Sequence, residues 1–512
     1  MSKLPIYDAI VVGSGASGGW AAKELTEGGM RVLLLEAGES LRQKEWFCRW
    51  QDLTRKLKYR GRVDQRTLSL ARQPIQSKCH AWDWHFAYYI DDLDNPYLVP
   101  EDKPFTWIRS RQEGGRMVVP GHGRQLYRMS DLDFKAASRD GFGDDWPIGH
   151  ADLDPYYQRV ERWIGIHGST EHLPQLPDSL FLPALPMSAA EAHLKATIEG
   201  RWSERRVVSG RTGLPPRTLR SAQATGRLTL RTNAIASHVT VDPGSGKARG
   251  IAYIDRFSHK SYEALGRVIV LCASTIETTR LLLNSASDQH PTGLGNSSGL
   301  LGHYLHDHFN AVTVTGHIPE AKAEGALPPG GVYIPQFRNL QSQHPDFLRG
   351  YGIQAFAERQ PQAHFFQMKA FGEMLPRFEN RVRVDSERRD AWGIPVARIE
   401  CAYSDNERRM ATDQLEALKE MAEAAGFEIE SEQPDLAPPG TAVHEVGTAR
   451  MGNSPRTSVL NKFNQSWDVK NLFVTDGACF VSQGCQNPTL TIMAMTVRAC
   501  DYILDHCRKG NL

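Results

Sequence analysis

Residues 8–36 constrain the fold more than any other stretch of this chain. Asp8–Val12 (DAIVV) is a short apolar run that ends directly on Gly13-Ser14-Gly15-Ala16-Ser17-Gly18. A helical pattern follows through Lys23 and Leu25, stops at Gly28-Gly29, and gives way to a second expected strand, Arg31–Leu35, which ends on Glu36. Each glycine has a separate physical use. Gly13 permits the tight turn, Gly15 lets backbone approach a pyrophosphate, and Gly18 lets helix pack on strand. The helix N-terminus favours phosphate charge, and Glu36 is placed to accept from a ribose hydroxyl. The stretch therefore predicts an α/β domain that holds a dinucleotide.

A second block lies near the C-terminus: VHEVGTARMG from Val443, NLFVTDGACFV from Asn471, and GCQNPTLTIMA from Gly484. His444 precedes a small-residue segment (Gly447, Thr448, Met451, Gly452), and Asn487 opens an Asn-Pro-Thr turn into a helical pattern. Asn471–Asp476 reads as a short strand completing the sheet begun at Asp8, so Asp476-Gly477 returns to the site of the glycine turn. Taken alone, His444 is more often a core histidine satisfied by backbone, and Asn487 a helix-starting turn. The joint expectation is that His444 and Asn487 face the reactive end of the cofactor whose other end the glycine turn holds.

Between these blocks the patterns change. Residues 41–100 are irregular, basic and then aromatic (Trp82, Trp84, His85, Phe86, Tyr88, Tyr89). Cys79, His80 and His85 meet no metal-ligand spacing, and an aromatic lid or subunit contact is the expectation. Trp107–Arg128 is rich in glycine (114, 115, 121, 123), with His122 among them. A helix is expected over about Pro155–Ile164, capped by Asp152 or Asp154. Strands are expected over Leu228–Val239, Arg249–Tyr253 and Arg267–Cys272, the last entering Ala273-Ser274 and a helix through Thr278 and Leu282. His303, His306 and His308 cluster in GLGNSSGLLGHYLHDH; without an HExxH-type spacing, polar bridging is favoured over metal, and no metal site is predicted. Residues 310–400 alternate with a period of two (AVTVTG, GVYIPQF, AHFFQMKAF, NRVRVD, PVARIEC), which predicts an antiparallel sheet over the reactive end of the cofactor. Asn406–Ala425 is an amphipathic helix stopped by Gly426, and the Pro/Gly-rich 434–440 leads to His444.

Length and charge narrow the function classes. The chain has 512 residues, of which 60 are basic and 59 acidic, for a net charge of +1. That balance gives no electrostatic case for nucleic acid or an anionic membrane surface. The eight cysteines form no CxxC pair, so structural zinc and iron–sulfur clusters lack a spacing. No apolar run approaches the ~18 residues of a membrane span, and residues 1–8 leave no room for a signal h-region. The expectation is a soluble protein, either cytoplasmic or periplasmic by co-export with a signal-bearing partner.

Three separated blocks together resemble the glucose–methanol–choline family of FAD oxidoreductases: GSGASGG, GNSSGLLGHYLHDH, and HEVGTARMG…NLFVTDGACF…QNPTLTIMA. NRVRVD with WGIPV is similar to a strand block of that family's substrate domain. The resemblance implies FAD, a Rossmann-like FAD-binding domain, and a second α+β substrate domain on a mainly antiparallel sheet. The implied boundaries are 1–165, 166–309 and 436–512 for the FAD-binding parts (166–309 including a connection) and 310–435 for the substrate domain. It makes His444 the catalytic base and Asn487 its partner at the flavin. Cofactor contacts are implied at Gly13, Gly15, Ala16, Ser17, Gly18, Glu36 and Ala37; at Gly114, Gly115, Arg116 and His122; and at Ala236, Ala273, Ser274, Asp476, Gly477, Asn487, Pro488 and Thr489.

EGGRMVVPGHGRQLYRMSDLDF and SKCHAWDW look closest to bacterial sugar oxidoreductases such as glucoside 3-dehydrogenases. The implied reaction is oxidation of a secondary pyranose hydroxyl, at C3, to a ketone. Thr448-Ala449 stands where the family carries Thr-Cys, and MVVPGH replaces a shorter aromatic segment, so FAD is expected to be held non-covalently. Three alternatives stay open: a dehydrogenase passing electrons to cytochrome c through a small signal-bearing subunit, an O₂-using oxidase, and a FAD-containing lyase.

Overall fold

The structure is a computed structural model that describes residues 5–41, 72–79, 86–119, 122–214, 217–309, 312–319, 327, 330–359, 364–433 and 436–512. His80, His85, Trp82 and Trp84 lie outside the described residues.

The first sheet has the strand order Leu228–Arg231, Val32–Leu35, Ile6–Val12, Ser261–Leu271, Ala248–Asp255, Ala234–Val241, with Leu472–Val474 also paired to Ser261–Leu271. Ile6–Val12 pairs in parallel with Val32–Leu35 on one side and with Ser261–Leu271 on the other. Val32–Leu35 is buried along its whole length, the pattern of a parallel strand covered on both faces.

Ser261–Leu271 joins two architectures. Its first half (SYEAL) alternates and pairs antiparallel with Ala248–Asp255; its second half (RVIVL) is almost continuously buried and pairs in parallel with Ile6–Val12. Only that second half was expected. The strand patterns expected over 228–239 form two strands, Leu228–Arg231 and Ala234–Val241, separated by Asn233 at φ 57°. Asn471–Asp476 contributes Leu472–Val474, which joins the same sheet as Ile6–Val12 by pairing in parallel with Ser261–Leu271.

The helix Ala16–Glu27 and the C-terminal helix Thr489–Arg508 pack on this sheet, and His150–Ile164 packs on the latter. The last begins five residues earlier than expected. Asp152 acts from inside its first turn, accepting the Gly149 N–H at 2.9 Å, and Pro155 lies within the helix, where its missing N–H leaves the carbonyl of exposed Ala151 to water.

The second sheet is antiparallel throughout: Glu428–Gln433, Thr313–His317, Phe365–Glu373, Tyr351–Ala357, Val332–Ile334, Val208–Ser209, with His308–Phe309 also on Phe365–Glu373. Alternation assigns its faces. Ile353, Ala355, Met368 and Ala370 enter a core shared with the helices Ala189–Arg201 and Asp405–Ala424. Gln354, Lys369 and Phe371 occupy the opposite face. Asp405–Ala424 starts on a capping box: Glu407 accepts the Ser404 N–H at 2.6 Å while Ser404 Oγ accepts the Asn406 N–H at 3.3 Å. The expectation that NRVRVD and PVARIEC extend this sheet is corrected. Arg381–Arg389 and Pro395–Glu400 form a separate hairpin, whose Val382, Ala397 and Ile399 pack with Trp107, Ile276 and Leu305.

Candidate active site

The parallel strands of the first sheet end on one side, and a cavity of about 420 Å³ opens there. Val12–Ser17, Leu35–Ala37, Cys272–Thr275 and Asp476-Gly477 form its floor, each following the C-terminal end of a strand. Gly115, Arg116, His122 and Ala236 line its sides, and His444 and Asn487–Thr489 close one end together with Gln354 and Phe371 of the second sheet. Of the residues singled out in the sequence, Gly18 and Gly114 do not line it. A Cβ on Gly18 would sit 1.8 Å from the Gly13 carbonyl oxygen, so its role is helix packing. Gly114 donates its N–H to Ser14 Oγ at 2.9 Å, bracing the first turn.

The floor fits a dinucleotide. A Cβ on Gly15 would meet nothing nearer than Gly115 Cα at 4.0 Å, so the turn is open toward the cavity. The helix Ala16–Glu27 starts at Gly15 with no side-chain cap and no acid in its first turn, leaving its N–H groups for a phosphate. Glu36 braces this turn: its Oε2 accepts from the Ser14 N–H (3.1 Å) and hydroxyl (2.5 Å), its Oε1 from the Gly38 N–H (2.8 Å). Burial raises the Glu36 pKa, and these donors oppose the rise.

Asp476 organises the opposite part of the floor. Its Oδ2 accepts the Ser274 N–H at 3.0 Å and the Thr278 hydroxyl at 2.5 Å, and its Oδ1 accepts the Ala478 N–H at 3.0 Å. Those bonds hold Ser274 at φ 82°, a conformation costly for a residue with a Cβ. Burial pushes Asp476 up to about 6.

At the closed end, His444 Nε2 lies 3.2 Å from Asn487 Nδ2, and Asn487 Oδ1 accepts from Gln354 Nε2 at 3.2 Å. His444 is held on every side. Its N–H donates to Asp307 Oδ1 at 3.0 Å, its carbonyl accepts from Gln483 Nε2 at 3.0 Å, and its Nδ1 lies 2.9 Å from His308 Nδ1. Arg116 donates to the preceding Val443 carbonyl at 3.1 Å and to Glu445 Oε2 at 3.2 Å, across from Val443 at φ 64°. Burial first, and then His308, Arg116, His122 and Lys369, push the His444 pKa well below 6.5. The ring is therefore neutral near pH 7 and can accept a proton. Burial also lowers Lys369, to about 8.

His122 Nε2 lies 3.0 Å from the Tyr89 hydroxyl. The other clustered histidines have local partners: His303 Nδ1 bonds the Phe378 carbonyl at 2.7 Å, and His306 Nδ1 the Tyr304 carbonyl at 2.8 Å. Among the described residues, no group of three His, Cys, Asp or Glu side chains is placed to hold a metal ion. Sequence reasoning missed Asp307, Gln354 and Gln483, and saw His308 only as one of a cluster. The HDH run was the available signal, but nothing local indicates that its third member reaches His444.

Residues 147–310 and 376–496 match the two models that describe GMC oxidoreductases, and together they span more than half of the chain. The chain is 29% identical to 2-methyl-1,2-propanediol dehydrogenase of Mycolicibacterium austroafricanum over 97% of its length and 95% of that protein's. It is 25% identical to the fructose dehydrogenase large subunit of Gluconobacter japonicus, over 98% of each chain. Its fold superposes on pyridoxine 4-oxidase from Mesorbium loti with a TM-score of 0.64 at 18% identity, covering 97% of this chain and 98% of that one. The chain belongs to the GMC oxidoreductase family and is a FAD-dependent oxidoreductase of alcohols or sugars.

Proposed function

We propose that this enzyme oxidises a secondary hydroxyl of a pyranose sugar or glycoside, at C3, to a ketone. The observation that carries the reading is the pair His444 Nε2 and Asn487 Nδ2, 3.2 Å apart at one end of the cavity whose floor fits a dinucleotide. FAD, held by Gly13–Ser17, Glu36-Ala37, Gly115-Arg116, Ala236, Ala273-Ser274 and Asp476-Gly477, supplies a two-electron acceptor for the carbinol hydride. His444 Nε2 takes the hydroxyl proton, which makes departure of the hydride favourable. Asn487 orients the hydroxyl against that nitrogen. The N-terminus of Thr489–Arg508 presents its positive end to the same region, favouring negative charge there. Gln354, Phe371 and Lys369, from the second sheet, select what reaches the pair.

The sugar assignment is supported by the fructose dehydrogenase relative and by the resemblance over residues 113–134; that relative's being a large subunit supports a partner subunit, and cytochrome c is the acceptor this reading takes. Non-covalent attachment of FAD is part of this reading. No described helix is long and apolar enough to cross a membrane. Export with the partner would place the enzyme in the periplasm.

The test is anaerobic mixing of the FAD-loaded protein with a panel of glycosides, free sugars and 1,2-diols, followed by flavin bleaching. His444→Ala should keep FAD and bleach about 10²–10⁴-fold more slowly, the range for loss of a general base. Bleaching of the variant at the wild-type rate removes His444 from the reaction, and bleaching by diols alone removes the sugar.

A further inference from the structure

We propose that His308 is a positioning residue that fixes the tautomer of His444, so that the Nδ1 of His444 carries the proton and its Nε2 keeps the lone pair that faces the cavity. The inference rests on the reading of His444 as the base, but it comes from a different observation. His308 Nε2 lies 2.8 Å from the carbonyl oxygen of Gly484. A carbonyl can only accept, so His308 Nε2 bears a hydrogen.

His308 is buried and neutral, its pKa lowered to about 4 by burial and then by its neighbour His306, with the Gly484 bond opposing. A neutral imidazole with a hydrogen on Nε2 has a lone pair on Nδ1. That lone pair lies 2.9 Å from His444 Nδ1, with the two rings nearly perpendicular at 85°. Two lone pairs at that distance repel, so His444 Nδ1 must be the donor. The remaining nitrogen of His444, Nε2, is then unprotonated.

The other side of the ring agrees. Asn487 turns Nδ2 toward His444 Nε2, and its Oδ1 accepts from Gln354. The amides of Asn487 and Gln354 can each be reversed, so this side alone would not decide the tautomer. The Gly484 carbonyl cannot be reversed in its role as acceptor. It anchors the relay Gly484 O, His308, His444, Asn487.

The device has a mechanistic consequence. A histidine with the proton on the wrong nitrogen would offer an N–H to the substrate hydroxyl and could not take its proton. When Nε2 receives the proton, the Nδ1 hydrogen stays on His444, still bonded to His308. His308 takes no part in the proton count, which is why it positions the base rather than reacting.

Nitrogen-15 NMR of histidine-labelled protein reads the tautomer directly, because an imidazole N–H nitrogen and a lone-pair nitrogen resonate far apart; His444→Ala assigns the signals. The expected wild-type spectrum has the His444 proton on Nδ1. A proton on Nε2 overturns the proposal without any variant, and it does so whether or not His444 is the base. His308→Leu, which keeps bulk but removes the acceptor, should give a mixed tautomer and slow flavin bleaching about 10- to 100-fold at unchanged KM. His308→Asn, whose Oδ1 can stand near the lost Nδ1, should restore most of both. A His308→Leu protein that folds, binds FAD and shows an unshifted His444 tautomer refutes the relay. Fast bleaching by His444→Ala refutes only the base.

Discussion

Asp307 Oδ1 accepts the backbone N–H of His444 at 3.0 Å and also that of His308 at 2.8 Å. Asp307 Oδ2 accepts the N–H of Gly440 at 3.0 Å. One buried carboxyl thus joins the loop carrying His444 to the start of the strand carrying His308. Burial, and then the Glu445 charge, raise the Asp307 pKa well above its ordinary value, against the pull of those three donors.

Asp307→Asn replaces one accepting oxygen with an NH₂ group that must face a backbone N–H. Leaving such a donor unmatched in the interior costs about 1–3 kcal/mol. Urea unfolding should show a loss of that size, with FAD still bound. Flavin bleaching should slow as well, because His308 and His444 lose their common tether. A variant as stable and as fast as wild type would show that the tether is dispensable.

The glycine turn allows two substitutions with opposite outcomes. Gly15 has room for a side chain, but that room is the cofactor's, so Gly15→Val should fold and purify colourless. Gly18→Ala places a Cβ 1.8 Å from the Gly13 carbonyl oxygen, where backbone must move, so it should fail to fold or unfold early. Circular dichroism and the flavin absorbance of the purified variants separate the two. A yellow Gly15→Val protein at full stoichiometry would refute the phosphate cradle.

These glycines were legible because the unit around them is local: a strand, a turn and a helix adjacent in sequence, each with its own hydrophobic period. The hairpin Arg381–Arg389 with Pro395–Glu400 was misassigned for a physical reason. Alternation says that one face of a strand is covered but not which sheet covers it, and here the covering residues come from 97–107 and 276–305. Residues 261–265 were missed because their half-exposed alternation is short and polar. His308 is 136 residues from His444, and the two meet where a strand end of the second sheet approaches a loop before the C-terminal helix, not on a shared element. A chemical type can be read at each position, but not that juxtaposition.

His306 and His308 make stability acid-sensitive. Burial lowers both to about 4 in the fold, against about 6.5 in the unfolded chain. Between those values the unfolded state binds more protons, so their contribution is present above pH 6.5 and is lost as the pH falls toward 4. Each can contribute up to about 3 kcal/mol across that window. These two histidines therefore pull Tm down from pH 6.5 to 4.5, against Asp476, whose pKa raised to about 6 makes the fold bind the extra proton over much of that window. His306→Phe should raise Tm at pH 4.5 relative to pH 6.5 compared with wild type. An identical slope in the variant would show that His306 titrates normally.

Asn487 sets the charge beside the reacting nitrogen. In the wild type His444 faces an amide at 3.2 Å, and burial first, with Arg116 and Lys369 adding to it, holds its pKa low, so the titration of His444 should leave flavin bleaching flat across pH 6–8. Asn487→Ala removes an orienting group but leaves that electrostatic setting. It should slow bleaching less than His444→Ala does, with the same flat profile. Asn487→Asp is the sharper change. A carboxylate that close favours the imidazolium and should raise the His444 pKa by about 1–3 units. More of the base is then already protonated near neutrality, so bleaching should slow as the pH falls from 8 to 6 and recover as it rises. The three profiles, measured anaerobically with one substrate, separate orientation from charge. A flat profile for Asn487→Asp would mean that position 487 does not sense the protonation of His444.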